Sequence, residues 1–284
     1  QMARKISLNS AYGAIGNQWF RYYDKAIAEG ITKSGQLSIR WIENKLNKYL
    51  NNILKTNDDY VIASDTDSVY LTMDKLVTET IKSDNVLSKT IKFLDKVASE
   101  SIEPYITKSY EQLKQYTNAY ANKMIMKREV IADKGIWVAK KRYILNVWDS
   151  EGVSYKQPKL KMMGIEAVKS STPAMCRQKI KDALELIMTS DATELNKFVI
   201  NFREEFFKVN PELISFPRSV KGLSKFFDSG TTFKKSTPIH VKGALIYNNK
   251  LKQNKLIYKY PLIQEGDKIK FVYLKQPNPF TSNV

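Results

Sequence analysis

Apolar residues along this chain follow two periods, and the change from one to the other marks out its elements. Trp41, Leu46, Tyr49, Leu50 and Ile53 recur at helical spacing, which predicts a long helix capped by Thr32 or Ser34. Asn51, Asn52 and the cluster Thr56-Asn57-Asp58-Asp59 mark its end. Before it, Lys5 to Ala14 also suits a helix, with Lys5, Asn9, Tyr12 and Gly13 on one face, and Gly13 and Gly16 weaken and end it. Residues 60–71 change the period. Tyr-Val-Ile-Ala and Val-Tyr-Leu flank Asp65-Thr66-Asp67-Ser68, which predicts two short strands meeting at a tight acidic turn.

From Glu79 to Asn118 the pattern is helical again through Ile81, Leu87, Ile91, Leu94, Ala98 and Ile102, and Pro104 should divide it into two helices. Met124–Ile131, Ile136–Trp148 and Val153–Met163 are rich in β-branched, aromatic and alternating residues. They predict antiparallel strands, separated by turns at Asp133-Lys134-Gly135 and Asp149 to Gly152. Ser170-Ser171-Thr172-Pro173 is a helix start, and the helix should run to Thr189 with Cys176, Ile180, Ala183, Leu184 and Ile187 on one face. A second helix is expected from Thr193 to Val209. The stretch 211–238 should be loop, followed by strand-like runs at 239–247, 256–263 and 268–274. The fold class expected is α+β, with a domain boundary near Gly164.

Composition adds a partner. The 284 residues carry 46 Lys and Arg against 29 Asp and Glu, a net charge of +17. Residues 165–284 hold 20 of the basic and 11 of the acidic side chains, so the C-terminal part is the denser in positive charge. A polyanion, nucleic acid first, is the natural partner. A Lys-rich surface that only aids solubility is the competing explanation. No long uncharged apolar run appears, so no membrane is expected. Cys176 is alone, which excludes a disulfide framework and a thiolate zinc site and suits a reducing, cytoplasmic setting. His240 is alone too and reads as structural. Gln1-Met2-Ala3-Arg4-Lys5 shows no apolar leader.

Three motifs carry candidate chemistry. On the first predicted helix, Lys5 offers a point charge for phosphates, Tyr12 a flat face for a base, and Gly13 a close approach to the backbone. At the acidic turn, Asp65 and Asp67 offer hard oxygen ligands of the kind Mg²⁺ takes together with substrate phosphates. Ordinary Asx-turn chemistry explains the same residues without a metal. In the third, Lys140-Lys141-Arg142-Tyr143 inside a strand, alternation puts Lys140 and Arg142 on one side and Lys141 and Tyr143 on the other. A solvated edge strand guarded by lysines is the plainer alternative.

The order Lys5-x-x-x-Asn9-Ser10-x-Tyr12-Gly13, then Asp65-Thr66-Asp67-Ser68, then Lys140-Lys141-Arg142-Tyr143 resembles the C-terminal half of family B DNA polymerases. Asn9 to Asn17, Trp19 to Asp24, Tyr143 to Asp149 and Lys169 to Pro173 are similar to the replicative polymerases of T-even-type phages. The resemblance implies a fingers helix and approach to the palm over 1–24, a palm over 25–164 and a truncated thumb over 165–284. It implies that Lys5 binds the incoming deoxynucleoside triphosphate, with Asn9 and Tyr12 lining the nascent base pair. Asp67 becomes a direct Mg²⁺ ligand and Asp65 a more indirect one. Gly13 and Lys140 to Tyr143 hold primer–template DNA, and Lys169, Ser170 and Ser171 grip the duplex from the thumb.

The family has Tyr-Gly before Asp-Thr-Asp where this chain has Ala63-Ser64. The two acids remain, so metal binding is expected to survive and turn geometry or fidelity to differ. The family's other essential Asp, in a Ser-Leu-Tyr-Pro-Ser-like context, has no counterpart here, and it and the exonuclease domain would lie upstream. The sequence stops before the usual thumb end and its sliding-clamp contact. The expectation is a polymerase fragment that binds DNA and does not polymerise unless completed by an N-terminal part. A non-catalytic DNA-binding module and a two-metal nuclease remain as alternatives.

Overall fold

The computed structural model describes residues 2–81 and 87–275. The predicted helical run at 82–86 and the final segment 276–284 lie outside the described residues. The fold is α+β, with small antiparallel sheets among helices. It falls into two compact units, residues 1–133 with 147–159, and residues 134–146 with 160–284.

The first unit opens with α1 (Met2–Ile15) and α2 (Lys25–Leu54). The cap of α2 is Asp24, whose side chain accepts from the Ile27 N–H at 3.0 Å, so the helix begins well before the expected Thr32 or Ser34. Thr32 is inside the helix, its hydroxyl donating to the Ala28 carbonyl. Buried Ser38, Ile42, Leu46 and Leu50 repeat every four residues along the lower face. β1 (Val61–Asp65) and β2 (Ser68–Leu71) form the expected acidic hairpin, followed by α3 (Asp74–Thr80).

Next come α4 (Leu87–Val97) and α5 (Glu103–Tyr116). The run is divided into two α-helices as expected, with Pro104 in the first turn of α5, and a π-helical turn over Ala98–Ile102 joins them. The wider turn relieves the clash between the proline ring and the carbonyl four residues back, so the two helices join without a loop. Ile42, Leu46, Val61, Ile102, Ile106, Tyr110 and Leu113 form the core beneath the hairpin. The indole of Trp41 donates to the Ser109 carbonyl at 2.9 Å, and Tyr49 stacks on Tyr105 at 4.2 Å, tying α2 to α5.

β3 (Val130–Ala139), β4 (Arg142–Ser150) and β5 (Val153–Met163) make a sheet with β4 central. Here the expected registers fail. The turn placed at Asp133-Lys134-Gly135 is strand, and the first strand begins at Val130 instead of Met124. A side chain at Gly135 would meet the Trp137 ring at 2.7 Å and Leu145 at 2.9 Å, so this glycine serves packing within a strand. Lys134 reaches the Met188 carbonyl at 2.6 Å. The true turn is Lys140-Lys141, six residues further on, with Lys141 at φ 60°. Lys140 to Tyr143 therefore straddle a hairpin and do not alternate along one strand.

The second unit continues with α6 (Ala174–Thr189), where Pro173 is itself the cap and no hydroxyl of the preceding Ser170-Ser171-Thr172 caps the helix, then α7 (Ala192–Phe206). Ile144, Ile165, Ala167 and Met188 form one core here, packed by Ile180 and Leu184 of α6. The expected loop 211–238 contains α8 (Pro211–Ile214), β6 (Phe216–Ser219), α9 (Leu223–Phe226), β7 (Phe227–Asp228) and β8 (Thr232–Phe233). The run at 239–247 is not a strand but the start of α10 (Ile239–Gln253). Val241, Ala244 and Leu245 are three and four residues apart and all bury against Val220, so core packing overrides the β-branched composition. Residues 256–263 form no strand either, whereas β9 (Lys268–Phe271) appears as expected and pairs antiparallel with β6. His240, expected in a strand, lies in α10, and its pKa is lowered by burial and by Arg218.

Candidate functional site

The acidic hairpin is built from below. Asn47 of α2 accepts from the backbone N–H of Tyr60 at 2.8 Å and of Val61 at 3.1 Å, which fixes where β1 starts. Val61 is buried in the core, and Val69 and Leu71 of β2 pack on it. Strand alternation then puts Val61, Ala63 and Asp65 on the shielded side, with Ile62 and Ser64 outward. Asp65 pairs with Ser68 across the ladder, leaving Thr66-Asp67 as a two-residue turn. Thr66 has φ 46°, a left-handed conformation that is costly for a β-branched residue. Its hydroxyl donates to Oδ1 of Asp65 at 3.0 Å. Asp65 is half-buried and Asp67 exposed. Next to Asp65, the Ser64 hydroxyl faces Glu43 of α2 at 3.5 Å.

The donor set fits part of a Mg²⁺ site. Two carboxylates on one turn match what Mg²⁺ takes from a protein when phosphates and water complete its shell. Among the described residues no group of three or more His, Cys, Asp or Glu is arranged to hold a metal ion. The hairpin by itself offers two carboxylates, Asp65 and Asp67.

α1 also leans on α2. Lys5, Asn9, Tyr12 and Gly13 lie on it at the expected spacing, and all are exposed. The Tyr12 hydroxyl is 2.8 Å from that of Thr32, joining α1 to α2, and nothing lies within 4 Å of where a Gly13 side chain would be. Helix α2 therefore supports both the hairpin and the Lys5 helix.

An ion-pair centre that the sequence did not flag also belongs to this unit. Arg128 bonds Asp149 at 2.6 Å and Asp95 at 2.7 Å, while its backbone N–H donates to Glu103 at 2.9 Å. The Asp149 side chain is 4% exposed and that of Arg128 13%. Burial pushes the Asp149 carboxyl up, yet hydrogen bonds from Ser154, Arg128 and the Gly152 N–H bring it below its ordinary value. A cleft of about 530 Å³ beside this centre is lined by Asp95, Glu103, Lys127, Arg128, Glu129, Glu151 and Gly152 and includes none of the candidate site residues.

The basic motif belongs to the second unit. Lys140 and Lys141 are exposed at the tip of the β3–β4 hairpin, whereas Tyr143 is buried, its ring 6.4 Å from that of Trp137. Gly164, at φ 64°, lies so close that a side chain there would come within 2.2 Å of the Lys141 carbonyl oxygen. Glu166 takes a bond from Arg142 at 2.5 Å and another from Lys169 at 3.0 Å. The Lys169 hydrogen bond, with Arg142 nearby, holds the Glu166 carboxyl below its usual range. Lys169 and Ser170 are exposed and Ser171 is partly buried. Glu166 and Gly164 were missed from the sequence, although the spacing of Glu166 and Lys169 (three residues) was a legible signal for a pair.

With this geometry in place, comparison with known proteins settles the class. The DNA polymerase family B model matches residues 1–283, and the chain belongs to that family. Within it, the chain is similar to the DNA-directed DNA polymerase of Escherichia phage RB69, with 38% identity over 99% of this chain and 32% of that protein. It is 35% identical to the DNA-directed DNA polymerase of Enterobacteria phage T4, again over 99% of this chain and 32% of the relative. A DNA polymerase alpha catalytic subunit of Trypanosoma brucei brucei is 24% identical over 71% of the chain and 13% of its own length. The chain thus spans about a third of the length of its phage relatives. Among the described residues no helix is long and apolar enough to cross a membrane.

Proposed function

We propose that this chain is the fingers-end, palm and thumb part of a phage DNA-directed DNA polymerase, with boundaries near residues 24 and 164. The observation that carries this is the acidic hairpin and the Lys5 helix packed on one support, α2, in a chain of family B. Asp67, exposed at the turn, is the direct Mg²⁺ ligand, and Asp65 acts from its half-buried position beside it. When bound, Mg²⁺ supplies Lewis-acid stabilisation of phosphoryl charge. Lys5 places its charge on the triphosphate of an incoming deoxynucleotide, and Asn9 and Tyr12 line the new base pair. Gly13 leaves room for the DNA backbone. Lys140, Lys141 and Arg142 hold the primer–template, with Tyr143 packed beneath their turn, and Lys169, Ser170 and Ser171 grip the duplex.

The remaining carboxylate of the site and the proofreading part come from a polypeptide corresponding to the other two thirds of the relatives. A sliding clamp is a further partner of the whole enzyme, and host-cell cytoplasm is its place of action. The isolated chain binds primer–template and does not extend it. The absence of a third metal-ligating group among the described residues favours this over a stand-alone nuclease.

The test is to mix the chain with an N-terminal polypeptide from a family B relative that carries the missing aspartate. Mg²⁺-dependent primer extension should appear only with both parts and vanish with Asp67→Ala. Extension by the chain alone would sink the fragment reading. Unchanged extension with Asp67→Ala would leave only a DNA-binding module.

A further inference from the structure

Glu166 stands between the two segments proposed to hold duplex DNA. Its Oε2 accepts from Nη2 of Arg142 at 2.5 Å, next to the Lys140-Lys141 turn. Its Oε1 accepts from Nζ of Lys169 at 3.0 Å, next to Ser170 and Ser171. One carboxylate thus occupies a guanidinium and an ammonium, as two oxygens of a DNA phosphate would. The Arg142, Glu166 and Lys169 side chains are 40%, 45% and 44% exposed, so these pairs lie in high dielectric and exchange readily for a better anion.

The placement of Glu166 is built into the fold. Its neighbours Ile165 and Ala167 are 5% and 2% exposed and belong to the core formed with Ile144 and Met188. Gly164 presses its backbone against the Lys141 carbonyl, and a side chain there would also come within 3.1 Å of Cγ of Arg142. A partly exposed carboxylate is therefore carried on backbone that is packed against the basic turn. Arg142 Nε is buried with no hydrogen-bond partner, so the donors it can offer to a ligand are its Nη groups, one of which Glu166 takes.

We propose that Glu166 is an internal phosphate surrogate that occupies Arg142 and Lys169 in the free chain and surrenders them to adjacent backbone phosphates of the duplex. This rests on the reading that the second unit grips primer–template DNA. A built-in competitor weakens the grip without removing a cation, which suits a protein that must hold DNA and still slide along it. It also lowers the number of counterions released on binding, because one unit of the pair's positive charge is already neutralised.

The test uses the full chain and a labelled primer–template duplex, with affinity read by fluorescence anisotropy from about 50 to 300 mM salt. Glu166→Gln should bind about three- to tenfold tighter at the lowest salt, with the slope of log affinity against log salt steeper by about one. Glu185→Gln makes the same charge change at an exposed site on α6. It should alter affinity less than about twofold and leave the slope alone. In an Arg142→Gln, Lys169→Gln background, Glu166→Gln should have no further effect. An unchanged slope, or weaker binding by a Glu166→Gln chain that melts like the parent, would overturn the proposal and make Glu166 a brace for the turn. If the unaltered chain binds no duplex at any salt, the DNA-gripping reading itself fails, an outcome distinct from failure of the surrogate alone.

Discussion

The acidic hairpin of the first unit and the basic hairpin of the second are built on the same local plan and held by different forces. Each turns through two residues, and each places a residue other than glycine at positive φ, Thr66 at 46° and Lys141 at 60°. Under the acidic turn lies an apolar core: Val61, Val69 and Leu71 pack against α2 and α5, and Asn47 fixes the start of β1. The basic turn is held by a backbone contact at Gly164, with ion pairs beside it between Arg142, Glu166 and Lys169. Dense apolar packing holds atoms to fractions of an ångström, which suits the metal ligation proposed for the acidic turn. Exposed ion pairs exchange partners cheaply, which suits the duplex grip proposed for the basic one. On these proposed roles, one turn must hold still and the other must let go.

The largest effect should come from the acidic side. Asp67→Ala in the reconstituted enzyme should lower primer extension about 10³-fold at saturating DNA and nucleotide, with duplex affinity nearly unchanged. If instead affinity falls and the extension rate holds, the roles assigned to the two hairpins are reversed.

Next in size is the ion-pair centre of the first unit. Asp149→Ala leaves Arg128 without its buried partner and should cost about 3 kcal/mol or more in urea denaturation. The sign of its pH dependence follows from its lowered pKa. The unfolded chain takes up the proton first, so the stabilisation is complete above about pH 4. It is lost as the pH falls through the lower folded value. Acid titration of the parent against Asp149→Asn should show this loss only in the parent.

Gly164→Ala tests the support of the basic turn. A methyl group 2.2 Å from the Lys141 carbonyl at positive φ should cost about 2 kcal/mol and reduce duplex affinity, while leaving the acidic hairpin intact. The smallest effect is expected for Lys141→Gln. Loss of the phosphate contact proposed for it should weaken duplex binding a few-fold and flatten the salt slope by about one.

Much of this site was legible in the sequence. The acidic hairpin was readable because its determinants are local: β-branched flanks, a two-residue turn, and acids at fixed spacing. The α1 face was readable for the same reason, since Lys5, Asn9 and Tyr12 need only the helical period to share a side. The basic turn was misplaced because Asp133-Lys134-Gly135 has turn composition, and what makes Gly135 necessary is the Trp137 ring. The helix at 239–253 was read as strand because Ile239 and Val241 have β propensity, and only the core around Val220 reveals their helical spacing.

The sequence by itself determined the family, the α+β class, the candidate catalytic acids and the excess of positive charge. Each depends on residue type and short-range spacing, which a linear chain displays directly. Tertiary structure alone decided that α2 supports both Lys5 and the acidic turn, that Arg128 anchors Asp95 and Asp149, and that Glu166 holds two cations of the basic segment. Those depend on residues distant in sequence meeting across a packed core, where burial and sterics, not local propensity, set the geometry.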